Sequence, residues 1–193
     1  MSLSNSTYCH IVDQIPLIAA NGIIQGVYNT VVGGDSTAAT PGLGVGQYTA
    51  TETPDKACDG DTSTKYVSFG SCVSTDVNDQ CGLNTGLYLE LQRGSTVVRA
   101  LQIDTADDEP ARDPLIVSLE GSNQSGTSLT LGSSWTLIYN GPSGLATDPD
   151  RKSGGSIQQI NNMISYKSYR FLVSGKRSTS SAVQYSELIL YGY

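Results

Sequence analysis

Leu87-Tyr88-Leu89-Glu90-Leu91 places leucine at every second position, so the three leucines share one face and Tyr88 and Glu90 share the other. A period of two is the geometry of a strand with one side in a core. The alternation returns at Leu101-Gln-Ile103, Leu115-Ile-Val-Ser-Leu119, Trp135-Thr-Leu-Ile-Tyr139, Tyr169-Arg-Phe-Leu-Val173 and Glu187-Leu-Ile-Leu-Tyr191. Between these runs stand Arg93-Gly-Ser, Gly121-Ser-Asn and Asn140-Gly-Pro-Ser-Gly144. Such residues favour turns, through backbone freedom, a fixed φ or local side-chain hydrogen bonds. Short strands joined in this way predict an all-β antiparallel sandwich or barrel.

With 193 residues the chain is long enough for one buried core. Only 15% of residues are charged, and the net charge is -7. The eleven basic residues are scattered, which excludes a nucleic-acid partner, because phosphate binding needs clustered Lys and Arg. The apolar run Ile15 to Ile24 is short and broken by Asn21-Gly22. It falls well below the roughly 20 residues of a bilayer span, so no transmembrane segment is expected.

Cysteines stand at positions 9, 58, 72 and 81, with no CxxC pair and one histidine, His10, which disfavours zinc. An even count in a Gly/Ser/Thr-rich chain points to disulfides and an oxidising, extracellular setting, secreted or at a cell surface. Cys72 and Cys81 would close a short polar loop, leaving Cys9 to pair with Cys58; the alternative is free buried thiols. Residues 1–28 are expected to form an extension packed on the domain, and residues 29–193 the sandwich itself.

Three stretches resemble the discoidin, or coagulation factor five/eight type C, superfamily, which includes the family 32 carbohydrate-binding modules. Pro54-Asp-Lys-Ala-Cys-Asp-Gly-Asp-Thr-Ser-Thr-Lys-Tyr66 is similar to that family's acidic turn. Ser118-Leu-Glu-Gly-Ser-Asn123 with Trp135-Thr-Leu-Ile138 resembles its core strands, and Tyr166 to Phe171 with Ser186-Glu-Leu-Ile-Leu-Tyr-Gly192 its closing strands. The resemblance implies an eight-stranded jelly-roll sandwich, a structural calcium ion and ligand recognition by loops at one rim. The sequence departs from the family in three respects: no cysteine follows Cys81 to tie the termini, the 72–81 loop is an insertion, and His10 cannot supply the galactose-binding histidine.

Asp59-Gly60-Asp61 with Thr64 is the strongest local constellation. Two carboxylates in a glycine turn can point at one hard cation while carbonyls complete an oxygen shell, the chemistry of calcium. Glu187 matches the acidic ligand that the family carries on its last strand. A plain Asp-Gly turn is the competing explanation. For ligand binding, the loops Asp104–Pro114 and Ser174–Ala182 offer Asp107, Asp108, Arg112 and Arg177 to sugar hydroxyls; the competing explanation pairs Arg112 with Asp113 or a nearby acid to shape the loop before Pro114. Trp135 is expected in the core. A glycosidase needs two acids facing across a cleft, which adjacent loop acids do not supply. The expectation is therefore a non-catalytic, lectin-like module for carbohydrate or a cell-surface ligand. Its rival is a cell-adhesion or structural module that binds protein or lipid headgroups through the same rim.

Overall fold

The computed structural model describes residues 15–16 and 19–193, with side chains from residue 24 onward. Among the described residues fourteen strands follow one another, many of them short. In chain order they are β1 (Ile15–Pro16), β2 (Ala19–Tyr28), β3 (Thr37–Ala38), β4 (Thr40–Pro41), β5 (Gln47–Tyr48), β6 (Tyr66–Ser68) and β7 (Thr85–Leu91). The series continues with β8 (Val98–Asp104), β9 (Pro114–Ser122), β10 (Thr136–Pro142), β11 (Gln158–Gln159), β12 (Ser168–Lys176), β13 (Val183–Tyr185) and β14 (Glu187–Gly192). A four-stranded sheet in the order β1-β14-β8-β11 faces a six-stranded sheet in the order β10-β9-β12-β7-β2-β3. Every pairing within these two sheets is antiparallel, as in a jelly-roll β-sandwich.

The alternation predicts the core well. Leu87, Leu89 and Leu91 are buried, and from β12 Tyr169, Phe171 and Val173 meet Val117 and Leu119 of β9 and Leu188 and Leu190 of β14. Tyr88 and Glu90 turn outward and are half-buried. Residues 19–28, expected in an extension packed on the domain, instead form β2, a strand inside the six-stranded sheet, hydrogen-bonded to both β7 and β3. Two glycines of β2, Gly22 and Gly26, interrupt the alternation there, which is why the sequence does not announce it.

The outer face of the six-stranded sheet carries a buried ion pair. Arg170 and Glu120 are register partners on β12 and β9, and Arg170 Nε donates to Glu120 Oε2 at 2.7 Å. The 33–36 segment folds over them: the Gly33 N–H donates to Glu120 Oε1, and Arg170 donates to the Gly34 carbonyl and to Ser36 Oγ, each at 2.8 Å. Trp135 is buried as expected, but here rather than between the sheets. Its ring stacks on the Arg170 guanidinium, 4.9 Å from centroid to Cζ, and its indole N–H donates to the Leu129 carbonyl.

The register gathers one set of loops at one end of the sandwich. Asp104 at the end of β8 pairs with Glu187 at the start of β14, and Pro114 at the start of β9 pairs with Lys176 at the end of β12. The 105–113, 143–157 and 177–186 connections therefore leave from the same end.

Candidate functional site

The loops at this end are held by a buried acid. Asp113 is fully buried and takes both ends of the Arg151 guanidinium, at 2.8 and 2.7 Å. Arg177 Nε adds a third hydrogen bond at 3.2 Å, and the rest of that guanidinium donates to the Leu145 and Ala146 carbonyls. Main-chain bonds from Arg177 to Asp113 and from Ser178 to Ala111 stitch the two predicted loops together. Arg177, expected to face a ligand, is thus committed to the scaffold. Arg112 does not pair with its neighbour Asp113; the paired arginines come from two other loops.

Above this scaffold lies a polar cluster. Lys65, nearly buried, places its ammonium 2.8 Å from Asp107 Oδ1 and 2.5 Å from Asp108 Oδ1. Gln184 of β13 is fully buried and spans the cluster. Its Nε2 donates to the carbonyl and the carboxylate of Asp108 at 2.7 and 2.8 Å, and its Oε1 accepts from Arg112 at 3.3 Å. Arg112 also donates to Ser181 Oγ at 3.2 Å, while its Nε–H is buried without a partner. Burial opposes ionisation of Asp108, but Lys65 and Gln184 hold its carboxyl below the ordinary range. Three of the four expected rim residues, Asp107, Asp108 and Arg112, therefore converge. Lys65, Ser181 and Gln184 complete the cluster and carry no local sequence signal, because their partners lie 42 to 76 residues away. A separate groove of about 360 Å³, sharing no lining residue with the cluster, opens between Pro142–Pro149 and Gly154–Gln158.

The acidic turn sits at the edge of the same end. Gly60 adopts φ +77°, the left-handed conformation that lets Asp59 and Asp61 fold back on one another. Asp59 Oδ1 accepts from the Asp61 N–H at 3.0 Å, and Thr64 Oγ1 lies 2.9 Å from Asp59 Oδ2 and 3.1 Å from the Asp61 carbonyl oxygen. The Asp61 carboxylate instead caps the turn, accepting from the Ser63 N–H and hydroxyl. Glu187 is buried, and its Oε1 has no hydrogen-bond partner. Burial first, and then the neighbouring Asp59, raise its carboxyl to about 8.

Asp59 Oδ2 accepts from the Lys56 ammonium at 3.2 Å, whereas the Glu187 carboxyl, facing Asp59, keeps one oxygen orphaned and has no basic partner among the described residues. The donors are oxygens only: Asp59, Thr64, Glu187 and the Asp61 carbonyl. No three His, Cys, Asp or Glu side chains converge among the described residues to hold a metal ion of any kind; donors without thiolate or imidazole do not suit zinc or copper. A hard oxygen shell with carbonyl and hydroxyl members fits calcium.

Cys72 and Cys81 are joined, and the loop they close docks on the rim. Lys176 donates to the carbonyls of Asn78, Cys81 and Ser180 at 3.0, 2.7 and 2.9 Å, using all three ammonium hydrogens. Among the described residues Cys58 is bonded to no other cysteine; its expected partner, Cys9, lies outside them.

No family model and no curated protein matches the sequence. Solved structures do match the fold. The family 32 carbohydrate-binding module of Clostridium perfringens NanJ, in complex with galactose, superposes with a TM-score of 0.55 at 10% identity, covering 92% of this chain and 99% of that one. The family 32 module of Streptococcus pneumoniae EndoD gives 0.55 at 12% identity, covering 93% and 100%. A third, CBM32-3 from a family 31 glycoside hydrolase of Clostridium perfringens, gives 0.56 at 12% identity over 76% and 86%. The fold is the jelly-roll β-sandwich that these modules share.

Proposed function

We propose that the chain is a non-catalytic, extracellular carbohydrate-binding module with a structural calcium ion. The observation that carries the reading is the cluster of Lys65, Asp107, Asp108, Arg112 and Gln184 on a rigid end of the sandwich. It presents the partly exposed carboxylates of Asp107 and Asp108 beside the half-buried Arg112 guanidinium. Sugar hydroxyls both donate and accept, so a surface with both functions side by side suits them. The paired acids are bridged by Lys65, and Asp108 is held ionised, which suits accepting hydrogen bonds rather than general-acid work.

Asp59, Thr64, Glu187 and the Asp61 carbonyl would hold the calcium. The ion would supply the positive partner that Glu187 lacks and would tie the acidic turn to β14. The disulfide supports an oxidising compartment. Among the described residues no helix is long and apolar enough to cross a membrane.

The test is a glycan array run with calcium and with chelator, on the parent protein and on Arg112→Ala. Binding to at least one glycan, weakened in the variant, supports the reading. No binding to any glycan under calcium would reject it in favour of a protein-binding adhesion module.

A further inference from the structure

One side of the sandwich is an open edge. Strand β10 ends the six-stranded sheet and β11 ends the four-stranded sheet. Among the described residues, no main-chain N–H or C=O of residues 136–141 bonds to anything but β9. Two grooves run along this edge, of about 360 and 340 Å³. The first opens at Pro142 and is walled by small residues, Gly144, Ala146, Gly154 and Gly155. The second opens at Thr136 and is bordered by Leu137, Met163 and Ile164, which are 46%, 74% and 58% exposed. One end of the strand edge is therefore hollow, and the other projects apolar side chains.

This side is also without charge. Residues 121–147 and 153–166 contain no Asp, Glu, Lys or Arg, although the chain carries a net charge of -7. Asp148, Asp150, Arg151 and Lys152 stand between the two runs and balance one another. Arg99 touches the Met163 sulfur, but its guanidinium is held by the Asn162 carbonyl. Exposed apolar patches whose centre is depleted of charge mark protein interfaces.

Charge and shape together name the occupant. Two copies of so acidic a chain repel wherever their carboxylates approach, and this side lets them meet without bringing carboxylates together. A two-fold contact must be complementary to itself. Antiparallel pairing of two β10 edges sets residues 136–138 of each copy against residues 140–142 of the other. The projecting Leu137 and Ile164 of each copy then face the hollow of its partner.

We propose that a second copy of this chain covers this side, with β10 pairing antiparallel to β10 of the partner. The bulge between Leu137 and Tyr139 and the missing N–H of Pro142 keep the shared ladder short, so apolar contacts hold the pair and the association is weak. No residue of the rim cluster lines either groove, so both rims stay open.

Sedimentation equilibrium of the parent chain over a wide concentration range tests this. The expected result is a reversible monomer–dimer equilibrium that tightens between about 0.05 and 0.5 M salt, because screening removes repulsion and the contact contains no ion pairs to weaken. Ile164→Asp should weaken dimerisation about tenfold or more at an unchanged melting temperature, since it sets an unpaired charge against an apolar wall. The native side chain there is exposed, and only main-chain atoms of Ile164 bond to Asn162, so the fold does not depend on it. Hydrogen exchange on the parent chain gives a readout independent of any variant. Amides of residues 139–141 should slow as concentration rises, and those of the 105–113 loop should not. A monomer at every concentration overturns the proposal, and slowing of the same amides by an unrelated apolar peptide would then assign the edge to a foreign strand. A dimer that Ile164→Asp leaves intact, or that protects amides only outside this side, overturns it equally.

Discussion

Arg151 and Asp113 meet in a two-pronged ion pair at 2.8 and 2.7 Å, and the Asp113 carboxylate in that pair has no contact with solvent. A buried carboxylate bonded to two arginines from different loops fixes the rim before any ligand arrives. Removing it strands both guanidinium groups, and removing one partner of a buried pair is far costlier than losing an exposed one. Asp113→Ala is expected to lose about 3 kcal/mol of unfolding free energy. Urea denaturation that shows a loss below about 1 kcal/mol would mean the loops are held by other contacts.

Glu187 ties stability to pH and, on the proposed reading, is expected to tie it to calcium. Its carboxyl is raised from an ordinary 4.5 to about 8 in the folded chain. The folded state therefore binds the proton more tightly than the unfolded state. In chelator that contribution is fully present below pH 4.5 and is lost as pH rises through about 8. Calcium replaces the proton as the source of positive charge, so its stabilising effect should grow over the same interval. At a hundredfold excess over the dissociation constant the gain is about 2.7 kcal/mol. Melting curves at several pH values, with and without chelator, check this, and Glu187→Gln should flatten both dependences. A melting temperature unmoved by chelator at every pH would remove the ion from the account.

The two expected ligand arginines should behave differently. Arg112 donates to Gln184 and Ser181 and keeps one hydrogen free, so Arg112→Ala should weaken binding at least tenfold with a small change in melting, since an unpaired charge-assisted bond accounts for about 1.5–3 kcal/mol. Arg177 is spent on Asp113 and two carbonyls, so Arg177→Ala should lower the melting temperature first and affect binding only through the scaffold. A variant of Arg177 with parent stability and lost binding would place that residue in the site after all.

The disulfide loop is a brace on the rim. Cys72→Ser with Cys81→Ser removes a short closed loop, which contributes on the order of 2–3 kcal/mol. Lys176→Met leaves the carbonyls of Asn78, Cys81 and Ser180 without their shared donor. Hydrogen exchange should speed up at residues 78–82 and 180–182 in both variants and stay slow in β7 and β9. Equal acceleration throughout would show global destabilisation rather than a released brace.

The sequence alone determined what is local. Two-residue alternation at Leu87–Leu91 and Tyr169–Val173 specified strands and their core faces, because strand geometry forces neighbours to opposite sides. The Asp59-Gly60-Asp61 turn and the Cys72–Cys81 loop were legible for the same reason, since each closes within a few residues. Tertiary structure decided the partners. The sequence offers Arg112 its neighbour Asp113, yet in the fold Asp113 turns to Arg151 and Arg177, while Arg112 turns to Gln184, 72 residues away. Lys65, remote from Asp107 in sequence, reaches it only because β6 pairs with β13 beside the 105–113 loop. Glu187 faces Asp59 only because β14 closes the four-stranded sheet next to the acidic turn. Which charges meet depends on which loops the sheet register brings to one end. That register is set by burying many side chains together, and no single segment of the chain contains it.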